Sequence, residues 1–381
     1  DLYKFHPFID DYLEKIEKHP EKFSKEMKMV PALVRKKLDD PDVFVDTEKI
    51  DKAVELIERH FYKLIPWELF VLALVHAFYK STDTVVFDEF LIVVGAGNGK
   101  NGFISPLVWY FTTPAHGIKE YHVEIVANSE EQAKTSFNDV YEMLDGDWGR
   151  MKKFFYKTKE IIRNLRTRSY IQYNTSNART RLGKRAAVLV FDEILEYPDW
   201  EVFGAFNASF GKKKHSRKFL ITTNGYVRQG FLDDWLELAS GVLTGDIKNL
   251  GLLPLIYKLD KRDEVHNKSK WIKANPSMPY FPELARELET QYERMQHQPQ
   301  LAMDFLTKRM NLPAEDAFTV VASRKKISAC NKPIPFDEIE GLECIGAVDY
   351  AQINDFAGVG LLFKHGGKRI WHTHSFVCHL A

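Results

Sequence analysis

Apolar positions along the chain follow first one period and then another. From Ile50 to Tyr62, the residues Ile50, Val54, Ile57 and Phe61 recur at helical spacing, which predicts an amphipathic helix docked by one stripe. The charged residues ahead of it share that period, so 1–60 reads as a helical segment. Pro66-Trp67-Glu68 opens an apolar stretch, Leu69 to Tyr79, that predicts a buried helix. The pattern then shortens to compact runs. FLIVV from Phe90, YHVEIVA from Tyr121 to Ala127, AAVLVF from Ala186 and KFLITT from Lys218 to Thr223 read as strands, AAVLVF as one buried on both faces. Between the second and third, Ser129 and Gln132 have capping-box spacing and start a helix. Strands alternating with helices predict an α/β fold, with a mostly parallel sheet covered on both sides.

The first strand breaks into GAGNGKN, and this turn carries the first candidate chemistry. Gly95, Gly97 and Gly99 let backbone N–H groups turn inward at close range, and the helix that follows directs its positive end to the same point. Lys100 adds a mobile point charge for the outer phosphates of a nucleotide. The loop departs from G-x-x-x-x-G-K-[ST] at Val94 and at Asn101, where a hydroxyl usually serves magnesium. The third strand ends in Asp192-Glu193, at the position where one acid holds magnesium and the next polarises an attacking water. The fourth runs into Thr222, Thr223, Asn224 and Gly225, where polar residues sit near the terminal phosphate.

Composition narrows the classes without choosing among them. With 45% hydrophobic and 28% charged residues the chain is neither disordered nor fibrous, and 381 residues allow several domains. The 53 basic and 53 acidic residues cancel, so nothing global demands a nucleic acid. Local runs leave the question open: Lys152 to Arg168 is either a solvated face or a DNA-tracking surface. GKKKHSRK at 211–218 is solvated, touches DNA or reaches a neighbouring subunit's nucleotide. Cys330, Cys344 and Cys378 show no CxxC spacing, which argues against a disulfide framework and for a reducing compartment. No apolar run is long enough for a membrane span, and the charged start is no secretory signal. Trp67 is a core aromatic or packs beside an adenine.

Taken together, GAGNGKN, TSNARTRLGKR leading into VLVFDEI, ITTNGYVRQGFLD, WIKANPSMP and GAVDYAQINDFAGVGLLF resemble the large subunit of bacteriophage terminases, in order and spacing over nearly the whole chain. The resemblance implies an additional-strand, RecA-like P-loop ATPase followed by an RNase H-like nuclease. It implies ATP and Mg2+ as cofactors, with nucleotide contacts from Gly95, Gly97, Asn98, Gly99, Lys100, Asn101, Thr223 and Asn224. Asp192 is then the magnesium carboxylate, Glu193 the catalytic acid, and Thr222 to Asn224 the coupling motif. Double-stranded DNA, a small terminase subunit and a portal protein are the implied partners. A homo-oligomeric ring in the cytoplasm of the infected bacterium, with no membrane, is the implied setting. Where such terminases commonly carry an arginine, a Ser or Thr and an adenine-reading glutamine, this chain has Ala96, Asn101 and Glu68. A ring motor also needs an arginine near the terminal phosphate, and Arg179, Arg181, Arg185 and Arg228 are candidates.

The implied organisation is a helical segment at 1–60, the ATPase core at 61–245, a lid or linker at 246–335 and the beginning of the nuclease at 336–381. In the last part, Cys344 to Asp349, Phe356 to Phe363 and Arg369 to Val377 read as an antiparallel meander. Asp349 and Asp355 are candidate catalytic carboxylates for a nuclease Mg2+ or Mn2+, while His372 and His374 share a strand face without a third ligand. The stretch is shorter than an RNase H-like domain, so the chain as written is expected not to cleave DNA. Two other functions compete: a helicase-like P-loop ATPase, and a nucleotide-binding scaffold without turnover.

Overall fold

The computed structural model describes residues 3–175, 186–197, 200–208, 210–225, 230–248, 250–298, 300–313, 329–330, 332–349 and 356–377. They divide into two units, Asp1–Asp316 and Ala317–Ala381.

The first unit begins with helices α1 (Pro7–Lys18) and α2 (Lys25–Leu38). Pro7 opens α1 at the position where its missing N–H leaves nothing unsatisfied, and Ser24 caps α2 by accepting from the Met27 N–H. Strand β1 (Val43–Val45) and helix α3 (Thr47–His60) follow, and α3 buries Ile50, Ala53 and Ile57 as its periodicity requires. Helix α4 (Pro66–Leu74) is shorter than the apolar stretch that contains it. Ala77–Tyr79 forms strand β2, antiparallel to β1, so an expected continuous helix to Tyr79 stops at the point where a partner strand takes up the backbone.

The central elements alternate as predicted on either side of three successive strands. They are β3 (Glu89–Val93), α5 (Lys100–Thr112), β4 (Val123–Ala127), α6 (Glu130–Gly146), α7 (Trp148–Met151), β5 (Phe155–Lys157), β6 (Ile161–Asn164), β7 (Tyr170–Thr175), β8 (Val188–Asp192), α8 (Glu201–Asn207), β9 (Arg217–Thr222), α9 (Phe231–Thr244) and β10 (Leu252–Ile256). Ser129 and Gln132 make the reciprocal capping bonds at the start of α6, 3.3 and 3.2 Å. The sheet has eight strands in the order β10-β3-β9-β8-β4-β7-β6-β5. Its strands run parallel from β10 to β7, and β6 and β5 add an antiparallel edge. Because β10 pairs with β3, the sheet extends past residue 245, where the sequence pattern suggested a lid begins.

Alternation along each buried strand sorts its side chains between two cores. Phe90 and Ile92 on β3, with Val188 and Val190 on β8, join α1 to α5 on one face. Leu91 and Val93, with Leu189 and Phe191, pack against α8 and α9 on the other. This double burial is why these segments read as continuous apolar runs.

Beyond β10 the chain builds a smaller cap with its own core. Helices α10 (Pro282–His297) and α11 (Gln300–Asp304) lead into a π-helical turn, Phe305–Arg309. Leu259, Trp271, Ala274, Leu288, Phe305 and Met310 are buried together there.

The second unit holds the short helix α12 (Phe336–Ile339) and an antiparallel sheet of β11 (Cys344–Asp349), β12 (Phe356–His365) and β13 (Lys368–Val377). The meander predicted from the sequence is present. No helix among the described residues is long and apolar enough to cross a membrane.

Candidate active site

The carboxyl ends of β3, β8 and β9 lie side by side, the usual place for a ligand in a parallel sheet. The loop after β3 turns through positive φ at Gly97 (86°) and Gly99 (82°), and Gly99 caps α5 directly. These angles are open to glycine and strained for other residues. The loop thereby runs directly into the N-terminus of α5, where the first helical N–H groups have no intrahelical partner, as an anion cradle requires.

Two acids contact that helix start. Lys100 Nζ lies 2.7 Å from Glu193 Oε1, an ion pair with both side chains largely shielded. Glu193 itself sits at φ 49°, in the left-handed region that a glutamate seldom occupies. Its other oxygen lies 3.5 Å from both Thr222 Oγ1 and the Thr223 N–H. Asp192 is buried, and the Asn101 amide nitrogen donates to its Oδ2 at 2.5 Å. Burial, and next the neighbouring Glu193 charge, push the Asp192 carboxyl up to about 7. Its Oδ1 is enclosed and has no hydrogen-bond partner among the described residues. An orphaned carboxylate oxygen fits a hard divalent cation, which one carboxylate, waters and substrate phosphates commonly hold. Asp192 would carry it; Asn101 presents nitrogen, not oxygen, to that carboxylate.

The cap beyond β10 supplies the other wall. Gly95 N–H donates to Ala274 O (3.0 Å) and Ala96 N–H to Lys308 O (2.7 Å). Asn98 is 1% exposed, with its Nδ2 donating to Asn275 Oδ1 (2.7 Å) and its Oδ1 accepting from the Ser277 N–H (3.1 Å). Trp67 Nε1 donates to Ser277 Oγ (3.0 Å), and that hydroxyl donates to Asn98 O (2.8 Å). On the β9 side, Asn224 grips Asn311 twice: its N–H donates to Asn311 Oδ1 and its Nδ2 to Asn311 O, both 2.9 Å. One cap segment, Lys308 to Asn311, therefore touches both the phosphate loop and the end of β9.

Comparison with known proteins identifies the family. The family model described as terminase large subunit, ATPase domain, matches residues 66–241, and the one described as terminase large subunit, endonuclease domain, matches 250–381. The chain belongs to the terminase large subunit family. The terminase large subunit of Lactococcus phage p2 is 23% identical over 349 residues, covering 86% of this chain and 63% of the phage protein. Protein YmfN of Escherichia coli is 28% identical over 184 residues, 48% of this chain and 40% of that protein. The crystal structure of the HK97 bacteriophage large terminase superposes with a TM-score of 0.60 at 17% identity, over 86% of this chain and 67% of that one, which shows a common fold. The chain thus spans 63% of the length of the phage p2 relative it matches.

Within this terminase chain, Gly95, Gly97, Asn98, Gly99, Lys100, Asn101, Asp192, Glu193, Thr223 and Asn224 all gather at the ends of β3, β8 and β9. The Asn98 and Asn224 side chains are directed to the cap. Asp349 closes β11 in the second unit, opposite Gly358, and is exposed there. Asp355 and the candidate arginines Arg179, Arg181, Arg185 and Arg228 lie outside the described residues. Among the described residues, no group of three or more His, Cys, Asp or Glu is placed to hold a metal. Glu68, at the position of the adenine-reading glutamine, is turned back to the segment ahead of its own helix: Tyr62 OH donates to Oε1 (2.8 Å) and Ile65 N–H to Oε2 (2.9 Å). Trp67 is fully buried as a core aromatic. In the basic run at 211–218, Lys213 pairs with Glu120, Lys214 and His215 with Asp83, and Lys218 with Glu89.

Asn275, Ser277, Arg309 and Asn311 escaped the sequence reading. The WIKANPSMP stretch marked the first two as part of the family pattern without a role, and nothing in FLTKRMN pointed to the others.

Proposed function

We propose that this chain hydrolyses ATP in a phage DNA-packaging motor, which translocates double-stranded DNA into procapsids, and that the protein also carries a metal-dependent endonuclease. The observation that carries the reading is the meeting of Lys100, Glu193 and Asp192 at the carboxyl ends of one parallel sheet, with Lys100 and Glu193 2.7 Å apart. Backbone N–H groups at the start of α5, with Lys100, bind the nucleotide phosphates. Lys100 exchanges its Glu193 partner for a phosphate oxygen, which frees the carboxylate to accept a proton from the attacking water. Magnesium held at Asp192 would supply charge neutralisation on the phosphates. Loss of the terminal phosphate alters what Glu193, Thr222 and Thr223 contact, and Asn224 passes that change to the cap through Asn311. A small terminase subunit, a portal protein and a homo-oligomeric ring in the infected cell's cytoplasm complete the proposed setting.

The test is DNA-stimulated ATP hydrolysis by the chain and by Glu193→Gln with magnesium. Turnover should fall by a factor on the order of 100 or more in the variant, the usual contribution of a positioned base. Equal rates would remove Glu193 from the mechanism. A scaffold reading also has an observation in its favour, since Asn101 turns nitrogen rather than a hydroxyl toward Asp192. ATP binding by the parent without phosphate release, with DNA present, would decide for it.

A further inference from the structure

The cap places one cation against the phosphate loop that the mechanism above leaves unused. Arg309 ends the π-helical turn, a rare local structure often found at functional positions. Its Nη1 donates to Ala96 O at 2.6 Å, and its Nε donates to Gln291 Oε1 at 2.9 Å. The guanidinium lies so close over the loop that a Cβ built on Gly97 would stand 2.5 Å from Nη1. Both acceptors are neutral, and among the described residues Arg309 forms no ion pair. A guanidinium has five donors in a planar fork, so three remain for a further partner. The site is half-buried, its attraction to Glu287 acts beyond ion-pair distance, and a partly desolvated guanidinium so placed suits an anion that takes two parallel bonds, as a phosphate does.

The space beside it has room for such a partner. A cavity of about 560 Å3 opens between loop and cap, lined by Ala96, Gly97, Arg294, Phe305, Lys308 and Arg309 among others. That volume is within the range of small-molecule sites, roughly 300–1,000 Å3. Its floor is the backbone of the phosphate loop and its wall carries three basic residues, of which Lys308 is paired with Asp304 at 3.1 Å.

We propose that Arg309 contacts the terminal phosphate of the nucleotide from the cap, supplying within one subunit a charge that the loop, with alanine at 96, does not carry. This rests on the ATPase reading above and names a further residue for it. The same turn leads to Asn311, two positions on, which holds Asn224. A phosphate on Arg309 therefore bears on the segment that also reads the end of β9.

The test compares binding of fluorescent ATP and ADP analogues, with magnesium, by the parent, Arg309→Gln and Arg309→Lys. Glutamine reaches only as far as the arginine Nε, beside Gln291, and carries no charge; a change of loop shape would weaken both nucleotides, whereas loss of a terminal-phosphate contact weakens ATP alone, and thermal midpoints check that each variant folds. Arg309→Gln should weaken ATP by a factor on the order of 10 or more, the usual worth of a charge-assisted contact, with ADP changed far less. Arg309→Lys should restore part of the preference. Unchanged ATP binding, or equal weakening for ATP and ADP, would overturn the proposal and leave the ATPase reading intact. A parent that binds neither nucleotide would overturn both.

Discussion

Glu68→Gln should stabilise the protein at alkaline pH and change little at acid pH. Glu68 is 1% exposed, and burial pushes its carboxyl up from 4.5 to about 7 despite the hydrogen bonds from Ile65 N–H and Tyr62 OH. A carboxyl raised on folding contributes fully below its unfolded value, and the contribution is lost as pH climbs through the folded one. The window here is therefore 4.5 to about 7, with stability falling as pH rises. At 1.36 kcal/mol per pH unit, the buried charge costs about 3 kcal/mol above that window. Glutamine has the same shape and no charge: its carbonyl accepts from Ile65 N–H and its amide donates to the Tyr62 hydroxyl oxygen. The assay is urea unfolding of both proteins across the window. The advantage of the variant should grow from under about 1 kcal/mol near pH 5 to about 3 kcal/mol above pH 8. Parallel curves for the two proteins would refute the reasoning, because the difference isolates this one ionisation.

Two further substitutions probe the cap. A Cβ at Gly95 would meet Arg309 O at 2.5 Å, Asn275 Oδ1 at 2.7 Å and Ala274 O at 3.0 Å, and two of these are backbone atoms that cannot swing away. Gly95→Ala should cost about 1–3 kcal/mol and weaken ATP binding by opening the cap from the loop; unchanged thermal unfolding would sink this. Asn311 stands at φ 51°, accepts from Asn224 N–H and donates to Tyr257 O at 2.7 Å. Asn311→Ala loses two hydrogen bonds and strains the backbone, about 3 kcal/mol in all, and Asn311→Gly should recover about 1 kcal/mol of it. Equal denaturation midpoints for the two variants would show that the angle is not a constraint.

What is local in this protein is legible along the chain. Short apolar runs marked β3, β4, β8 and β9 because strands buried on both faces leave no polar alternation. The Ser129 box, the glycines of the loop and the acids ending β8 were legible because each feature is complete within a few residues. Even so, Leu69 to Tyr79 misled: continuous hydrophobicity does not separate helix from strand, and β1, far back in the chain, claimed Ala77–Tyr79. Tertiary structure alone decided the other half of the site. Asn98 meets Asn275 across 177 positions and Arg309 meets Ala96 across 213, through single polar side chains that leave no period in the sequence. It also decided which charges are free, since pairing within the fold claims Lys213, Lys214 and Lys218 while Arg309 faces only neutral acceptors among the described residues. A period records what a residue's own element buries; a lone polar side chain acquires its role from whatever the folded chain brings opposite it.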